Sequence, residues 1–181
     1  SPTISGAPSV PITGIAISHD NKLIASTSGD KSVKTWNAQT GEPVKTFTGH
    51  TASTWSPAFR PGGKHLASLG SDGAVRIWSL TDQTQVRVYE KTGNGMGALA
   101  WSPDGRTLYA SDTKAHTVYR QAFDGATGAL GPREAWVQFP ERDLAQPLEA
   151  YGGRPDGAAV DAEGCYWVAM FEGACVLRLS P

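Results

Sequence analysis

A spacing of 42 residues recurs along this chain. Trp36 and Trp78 are separated by it, as are Asp30 and Asp72, and Ile17, Phe59 and Trp101 mark one place in three successive units. Self-similarity at a period of about 40 to 50 residues is the signature of propeller blades. A fourth unit, GAAVDAEGCYWVAM, sets Val160 in the same place after a longer step of 59 residues. The excess falls in the Pro- and Gly-containing stretch 140–155, which reads as an inserted loop.

Inside each unit, short alternating segments are joined by polar turns containing Asp, Gly or Asn, the pattern of antiparallel strands. First strands are expected near residues 13–18, 54–60, 97–102 and 155–161, and second strands near 22–28, 65–70, 107–111 and 165–170. Third strands follow near 32–37, 74–79, 117–123 and 174–179. Fourth strands are visible three times, near 43–48, 85–90 and 133–139. The last unit lacks one, and residues 3–6 form a short extended segment that would supply it, because an unpaired sheet edge is a liability that propellers seal by closure. The expected fold class is therefore all-β, a β-propeller of four four-stranded blades per chain. Trp55, Trp101 and Trp167 are expected to fill the layers between blades.

Composition narrows function mostly by exclusion. Lys and Arg number 16 against 17 Asp and Glu, so the chain as a whole carries no electrostatic footprint for nucleic acid or an anionic membrane. No apolar run approaches the roughly 18 residues that span a bilayer, and the opening SPTISGAPSV has neither the charged region nor the apolar core of a signal peptide. The chain is expected to be soluble, with its localisation open. Cys165 and Cys175 are too few for a disulfide framework or a structural zinc site. They are expected as small buried strand residues on one hairpin, out of register for a disulfide.

The second unit carries Gly49-His50, then Ser68, Asp72 and Trp78, with a tight turn at Ser71-Asp72-Gly73. It resembles a WD-repeat blade. In that family the equivalent His, Ser, Asp and Trp form a hydrogen-bonded ladder that satisfies buried polar groups across the blade. The first unit keeps Asp30 and Trp36 but has no Gly-His ahead of its first strand, so its ladder is incomplete. A catalytic pairing of His50 with Asp72 is the weaker reading, because the Asp-to-Trp interval of six recurs in both units.

The stretch GNGMGALAWSPDGRTLYASDTKAHTVYRQAFDGATGAL, followed by GGRPDGAAVDAEGCYWVAMFEGACVLRLSP, resembles two consecutive blades of the family that includes regucalcin and bacterial sugar lactonases. That resemblance implies a divalent cation held by a Glu of an early blade, the Asn of an Asn-Gly turn and the Asp of a Pro-Asp-Gly turn. Oxygen ligands of this kind suit calcium or a similar hard cation, which polarises a lactone carbonyl and activates water. Asp156 matches the Asp and Asn94 the Asn, the latter with a longer interval to Trp101 than the family pattern has. The Glu has no counterpart. Asp104, Asp112, Asp161, Glu163 and His116 read as turn, strand-end and loop residues.

The two kinds of blade change over at residues 89–94. Residues 1–10 are read as the closing strand, 11–90 as two WD-like blades and 91–181 as two lactonase-like blades. The leading expectation is an engineered or recombined chimera, a scaffold without evolved catalytic activity whose property is folding and self-assembly. No cofactor is needed on that reading. One alternative is a cation-dependent sugar lactone hydrolase with residual activity. The other is a WD-type interaction module, with loop 139–153, bearing Arg142, Asp143, Glu149 and Tyr151, as its first contact surface. Wedges of about 51° and about 60° make four mixed blades sweep roughly 222°, so eight blades from a homodimer, about 45° each, close with less strain than four at about 90°. The partner expected is therefore a second copy, with no nucleic acid and no membrane.

Overall fold

The computed structural model describes residues 10–89, 96–143, 145 and 152–180, and among them every regular element is a β-strand. No helix there is long and apolar enough to cross a membrane. The chain forms two compact units, Ser1–Thr92 and Gly93–Pro181. In the first, β1 (Ile12–Ile17), β2 (Leu23–Ser28), β3 (Val33–Asn37) and β4 (Pro43–Phe47) make one antiparallel blade. A second consists of β5 (Thr54–Phe59), β6 (His65–Gly70), β7 (Val75–Ser79) and β8 (Thr84–Tyr89).

In the second unit, β9 (Met96–Trp101), β10 (Thr107–Asp112), β11 (Thr117–Asp124) and β13 (Glu134–Gln138) form the third blade. A two-residue strand, β12 (Ala129–Leu130), pairs with the far end of β11, an addition the 42-residue pattern does not foreshadow. The last blade has three described strands, β14 (Arg154–Val160), β15 (Tyr166–Phe171) and β16 (Cys175–Leu179). Residues 3–6, expected to complete it, lie outside the described residues. The fold is that of a β-propeller built from four blades.

Register decides which side chains share a face, since cross-strand partners point the same way. In the first blade Ala25 pairs with Thr35 and Ala16, and Val33 with Thr27 and Phe47. This face buries Ala25, Val33 and Phe47 against Phe59, Leu66 and Trp78 of the second blade, which are themselves mutual partners across β5, β6 and β7. The second unit repeats the scheme. Ala100, Tyr109 and Val118 of the third blade meet Tyr166, Val168 and Met170 of the fourth. Around them, Tyr109 and Trp136 stand 5.0 Å apart and Tyr109 and Tyr166 5.3 Å, as tilted aromatic pairs.

Polar pins lock each pair of blades in register. Thr54 Oγ1 on β5 accepts from the Ser28 N–H at 2.9 Å and lies within donating distance of the Ser28 and Ser32 carbonyls of the first blade. In the second unit Ser111 Oγ donates to the Asp156 carbonyl at 2.6 Å, and Thr113 Oγ1 to that of Pro155 at 2.8 Å.

Two of the three expected interlayer tryptophans lie elsewhere. Trp101 is buried and meets Phe123 edge-on, but Trp55 and Trp167 are exposed. Each donates its indole N–H to a nearby turn, Trp55 to Ser71 Oγ and Trp167 to Asp161 Oδ2. A polar anchor at the strand end holds these rings at the surface. Both cysteines are free thiols: Cys165 is buried as expected, whereas Cys175, at the start of β16 and paired with Met170 across the hairpin, is exposed.

Leu66 has no solvent exposure and sits at the centre of the first unit's core. Leu66→Ala should destabilise that unit by about 3 to 5 kcal/mol through lost burial and the cavity left behind. Urea unfolding followed by tryptophan fluorescence measures it, and a loss below about 1 kcal/mol would contradict this view of the core.

Candidate functional site

The densest polar cluster lies inside the second blade. His50 Nδ1 is 3.1 Å from both oxygens of the Asp72 carboxylate, an acceptor-only group, so the ring proton belongs on Nδ1. Nε2, 2.9 Å from Ser68 Oγ, then accepts the hydroxyl proton, and Ser68 Oγ in turn accepts the Trp78 indole N–H at 2.8 Å. The structure thus brings His50, Ser68, Asp72 and Trp78 into one chain of hydrogen bonds. The backbone N–H of Thr51 and that of Ala74 also donate to Asp72.

Sequence reasoning missed Arg76. Its Nη1 donates to Asp72 Oδ2 at 2.9 Å and lies 2.8 Å from His50 Nδ1, while Nε donates to Gln85. The signal was present: Lys34 stands 42 residues earlier, and it pairs with Asp30 at 3.6 Å. In the first blade Asp30 accepts from the backbone and hydroxyl of Ser32, and Trp36 donates to Ser26 Oγ at 2.9 Å. Asp30 and Trp36 therefore serve a turn and a serine separately, with no histidine between them.

The connectivity Ser68, His50, Asp72 is that of a nucleophilic triad, and burial decides against chemistry. Ser68 is wholly inaccessible and Trp78 almost so, and the serine hydroxyl is occupied on both sides. Burial lowers the His50 pKa; the Asp72 carboxylate opposes this and the nearby Arg76 charge adds to it, so the ring is neutral. Burial raises the Asp72 pKa, but the Thr51 N–H and His50 bonds outweigh it and the net value falls below the ordinary carboxylate range.

The second candidate is Asp156. It lies on β14 beside a bulge between Pro155 and Ala158, with its backbone held by Ser111, whose Oγ also accepts the Ala98 N–H. Gly97 allows the close approach: a Cβ there would stand 2.8 Å from both the carbonyl oxygen and Oδ1 of Asp156. The chain has ten aspartates, all described. Nine accept hydrogen bonds from a turn, a strand end or the ladder, namely Asp20, Asp30, Asp72, Asp82, Asp104, Asp112, Asp124, Asp143 and Asp161. Among the described residues the half-buried Asp156 carboxylate has no such bond. Asn94 lies outside the described residues, so its place beside Asp156 is not part of this geometry.

Other acidic groups are engaged. Asp112 caps the Lys114 and Ala115 N–H groups and pairs with Arg133 at 3.6 Å. Asp161, Glu163 and Cys165 cluster closely enough to hold an ion. Arg178, however, bonds to both carboxylates, and Trp167 and two backbone N–H groups occupy Asp161 further. Glu163 is thus an ion-pair partner on the last sheet. His116 adopts a left-handed turn with φ 51° and lies 3.1 Å from the Pro140 carbonyl.

Because the His50 pKa is lower folded than unfolded, the unfolded chain binds more protons below about pH 6.5, and stability should fall as pH drops through that value. His65, also lowered chiefly by burial, adds to the slope. His50→Gln should flatten the dependence in part, measured by urea unfolding between about pH 5 and pH 8; an unchanged slope would refute the neutral-ring assignment. Gly70→Ala should cost on the order of 2 kcal/mol, since its Cβ would fall 2.2 Å from His50 Nδ1 and 2.3 Å from Asp72 Oδ1.

Comparison with known proteins adds to this geometry. Residues 62–181 match the family described as SMP-30/Gluconolactonase/LRE-like region, and residues 2–37 and 41–79 match the WD domain, G-beta repeat. The chain is 39% identical over 127 residues to a 6-deoxy-6-sulfogluconolactonase of Pseudomonas putida, covering 70% of this chain and 36% of that one. It is 32% identical over 171 residues to the pentonolactonase XacC of Haloferax volcanii, covering 92% and 55%. That likeness crosses residues 89–94, and the lactonase-family match already begins within the second blade. The chain therefore spans between about a third and just over half of the length of these relatives. A chain in the crystal structure of the mitotic checkpoint complex shares the fold, with a TM-score of 0.73 over 96% of this chain and 52% of that one, at 18% identity. With the family match running from the second blade through Asp156 to the end of the last, this chain belongs to the SMP-30/gluconolactonase/LRE-like family, and its first two blades are of the WD-repeat kind.

Proposed function

We propose that this chain provides blades of a divalent-cation-dependent lactone hydrolase of the gluconolactonase type, with Asp156 as a cation ligand. The observation behind this reading is the unused carboxylate: of ten aspartates, Asp156 alone has a carboxylate that accepts no hydrogen bond from the described residues. An acceptor-only, half-buried oxygen donor suits a hard cation such as calcium. When bound, such a cation would polarise a lactone carbonyl and lower the pKa of water. The chain's own part is positional. Ser111 and Thr113 fix the backbone that presents Asp156, and the missing side chain at Gly97 leaves the carboxylate room. The nearest guanidinium in sequence, Arg154, is directed to Glu172 at 3.2 Å and leaves Asp156 its charge. One carboxylate does not hold a metal alone, so turnover needs further oxygen ligands, Asn94 first among them.

The competing reading is a recombined scaffold without activity. Calcium separates the two. On the lactonase reading, millimolar calcium raises the melting temperature, by about 2.7 kcal/mol of stabilisation at a hundredfold excess over Kd, and Asp156→Ala removes the shift. Hydrolysis of an aldonolactone, followed by proton release, should depend on calcium and vanish in the same variant. Absence of any calcium shift in the unmodified chain would sink the lactonase reading and leave the scaffold.

A further inference from the structure

The seam of the second unit buries a hydroxyl that neither the core nor the candidate site has so far engaged. Tyr166, on β15, has no solvent exposure, and its ring packs in one cluster with Ala100, Tyr109, Val118 and Trp136. Its hydroxyl completes no hydrogen bond among the described residues, and the side chain within its reach is Ser111. Register explains the meeting. Tyr166 pairs with Val160 of β14, four residues along that strand from Asp156. On β10, Ser111 comes two residues after Tyr109 and so shares its face, and Tyr109 stands 5.3 Å from Tyr166. Ser111 is itself wholly buried. It accepts the Ala98 N–H at 2.8 Å and donates to the Asp156 carbonyl at 2.6 Å, and a serine oxygen carries a second lone pair. Among the described residues this leaves one acceptor on Ser111 and one donor on Tyr166, buried together.

A buried hydroxyl without a partner is costly. Burial also pushes the Tyr166 phenol pKa up, so the group keeps its proton and remains a donor. We infer that Tyr166 donates its hydroxyl proton to Ser111 and through it holds the Asp156 backbone, which makes Tyr166 a positioning residue for the cation site. With the Ala98 N–H and the Tyr166 O–H filling both lone pairs, the proton of Ser111 has one direction left, toward the Asp156 carbonyl. Accepting from a tyrosine also strengthens the bond that the serine donates, since linked hydrogen bonds polarise one another. That bond matters because the β14–β15 ladder is interrupted by the bulge between Pro155 and Ala158, and hydroxyls of the third blade hold the backbone there. Tyr166 thus ties the packing of the two blades to the presentation of the carboxylate. The role at the cation site rests on the lactonase reading, whereas the contact between the two hydroxyls does not.

Urea unfolding of the full chain in calcium-free buffer tests the contact. Tyr166→Phe keeps the ring and removes only the O–H. It should lower stability in the parent chain, and be neutral or stabilising once Ser111→Ala has removed the acceptor. Equal effects in the two backgrounds would overturn the inference. So would a Tyr166→Phe change that stabilises the parent, the result of deleting an orphaned hydroxyl, and this sign can be read even if Ser111→Ala does not fold. Titration calorimetry with calcium then tests the role. Affinity should fall about fivefold in Tyr166→Phe, the share of one neutral hydrogen bond. Leu108→Ala, a buried truncation on β10, should lower stability and leave calcium affinity where it is; an equal loss of affinity in both variants would mean general loosening and would overturn the positioning role. Parent and Tyr166→Phe chains that bind calcium equally well would overturn that role alone. A parent that binds no calcium would overturn the lactonase reading and the role with it, so the two failures are told apart.

Discussion

Face-to-face contact between the two blades of each unit is what the rest of this structure rests on. A four-stranded antiparallel sheet has two faces, and a sheet this small is not stable with both in water. Each blade therefore depends on a neighbour, and each fully buried side chain in the seam contributes about 1.5 to 3 kcal/mol before entropy is set against it. Leu66 and Val33 in one unit, and Tyr166, Val168 and Val118 in the other, are at or near zero exposure. The apolar faces fix which blades meet, and hydroxyls fix how. Thr54 reaches across to Ser28 and Ser32, and Ser111 and Thr113 reach to the carbonyls of Asp156 and Pro155. Without those bonds the seams would bury unsatisfied backbone groups at the strand ends, at about 1 to 3 kcal/mol each.

The ladder in the second blade answers a different need. A tryptophan at the close of the third strand brings an indole N–H into an apolar seam, where it must find an acceptor. Ser68 supplies one for Trp78, and Ser26 does the same for Trp36. Only the second blade carries the chain onward through His50 to Asp72 and out to Arg76. The result ties the β6–β7 turn to the segment that enters β5. Its geometry leaves no room at Gly70, so a backbone position and three side chains are specified together. The first blade lacks the histidine and holds its turn by Asp30 and Ser32 alone.

Much of this was legible from the 42-residue period, because a repeated blade repeats its strands, and the boundaries of β2, β5, β6 and β7 follow from it closely. The ladder residues were legible for the same reason, their spacing being set by a turn of fixed length. What escaped was tertiary. Arg76 could be located by its place four residues after Asp72, yet its reach to both Asp72 and His50 depends on the burial of the pair. Trp55 and Trp167 show the opposite error. Alternation places a ring on a face, but a serine or aspartate in a nearby turn can hold its N–H at the surface. The short β12 was invisible for another reason: two residues pair there because Asp124 and Gly128 close a tight turn, with no hydrophobic alternation to announce them.

The aspartates separate structure from chemistry with the least ambiguity. A carboxylate in an Asx turn has its oxygens already directed at backbone N–H groups, and recruiting it to a ligand would unmake the turn. Asp104 holds Ser102 and Arg106 in this way, Asp124 holds Ala126 and Thr127, and Asp161 holds Glu163 and Cys165. Their pKa values are accordingly lowered, by side-chain and backbone hydrogen bonds. Asp156 sits in none of these arrangements. Its backbone carbonyl is held by the Ser111 hydroxyl of the neighbouring blade, its side chain stands over Gly97, and the arginine nearest in sequence, Arg154, pairs with Glu172. Half-burying a carboxylate without a compensating donor is a cost, and among the described residues Asp156 is the one aspartate of ten whose carboxylate has no donor. On the lactonase reading, a hard cation is the partner that would offset that cost, since a carboxylate is an oxygen ligand of the kind such cations take.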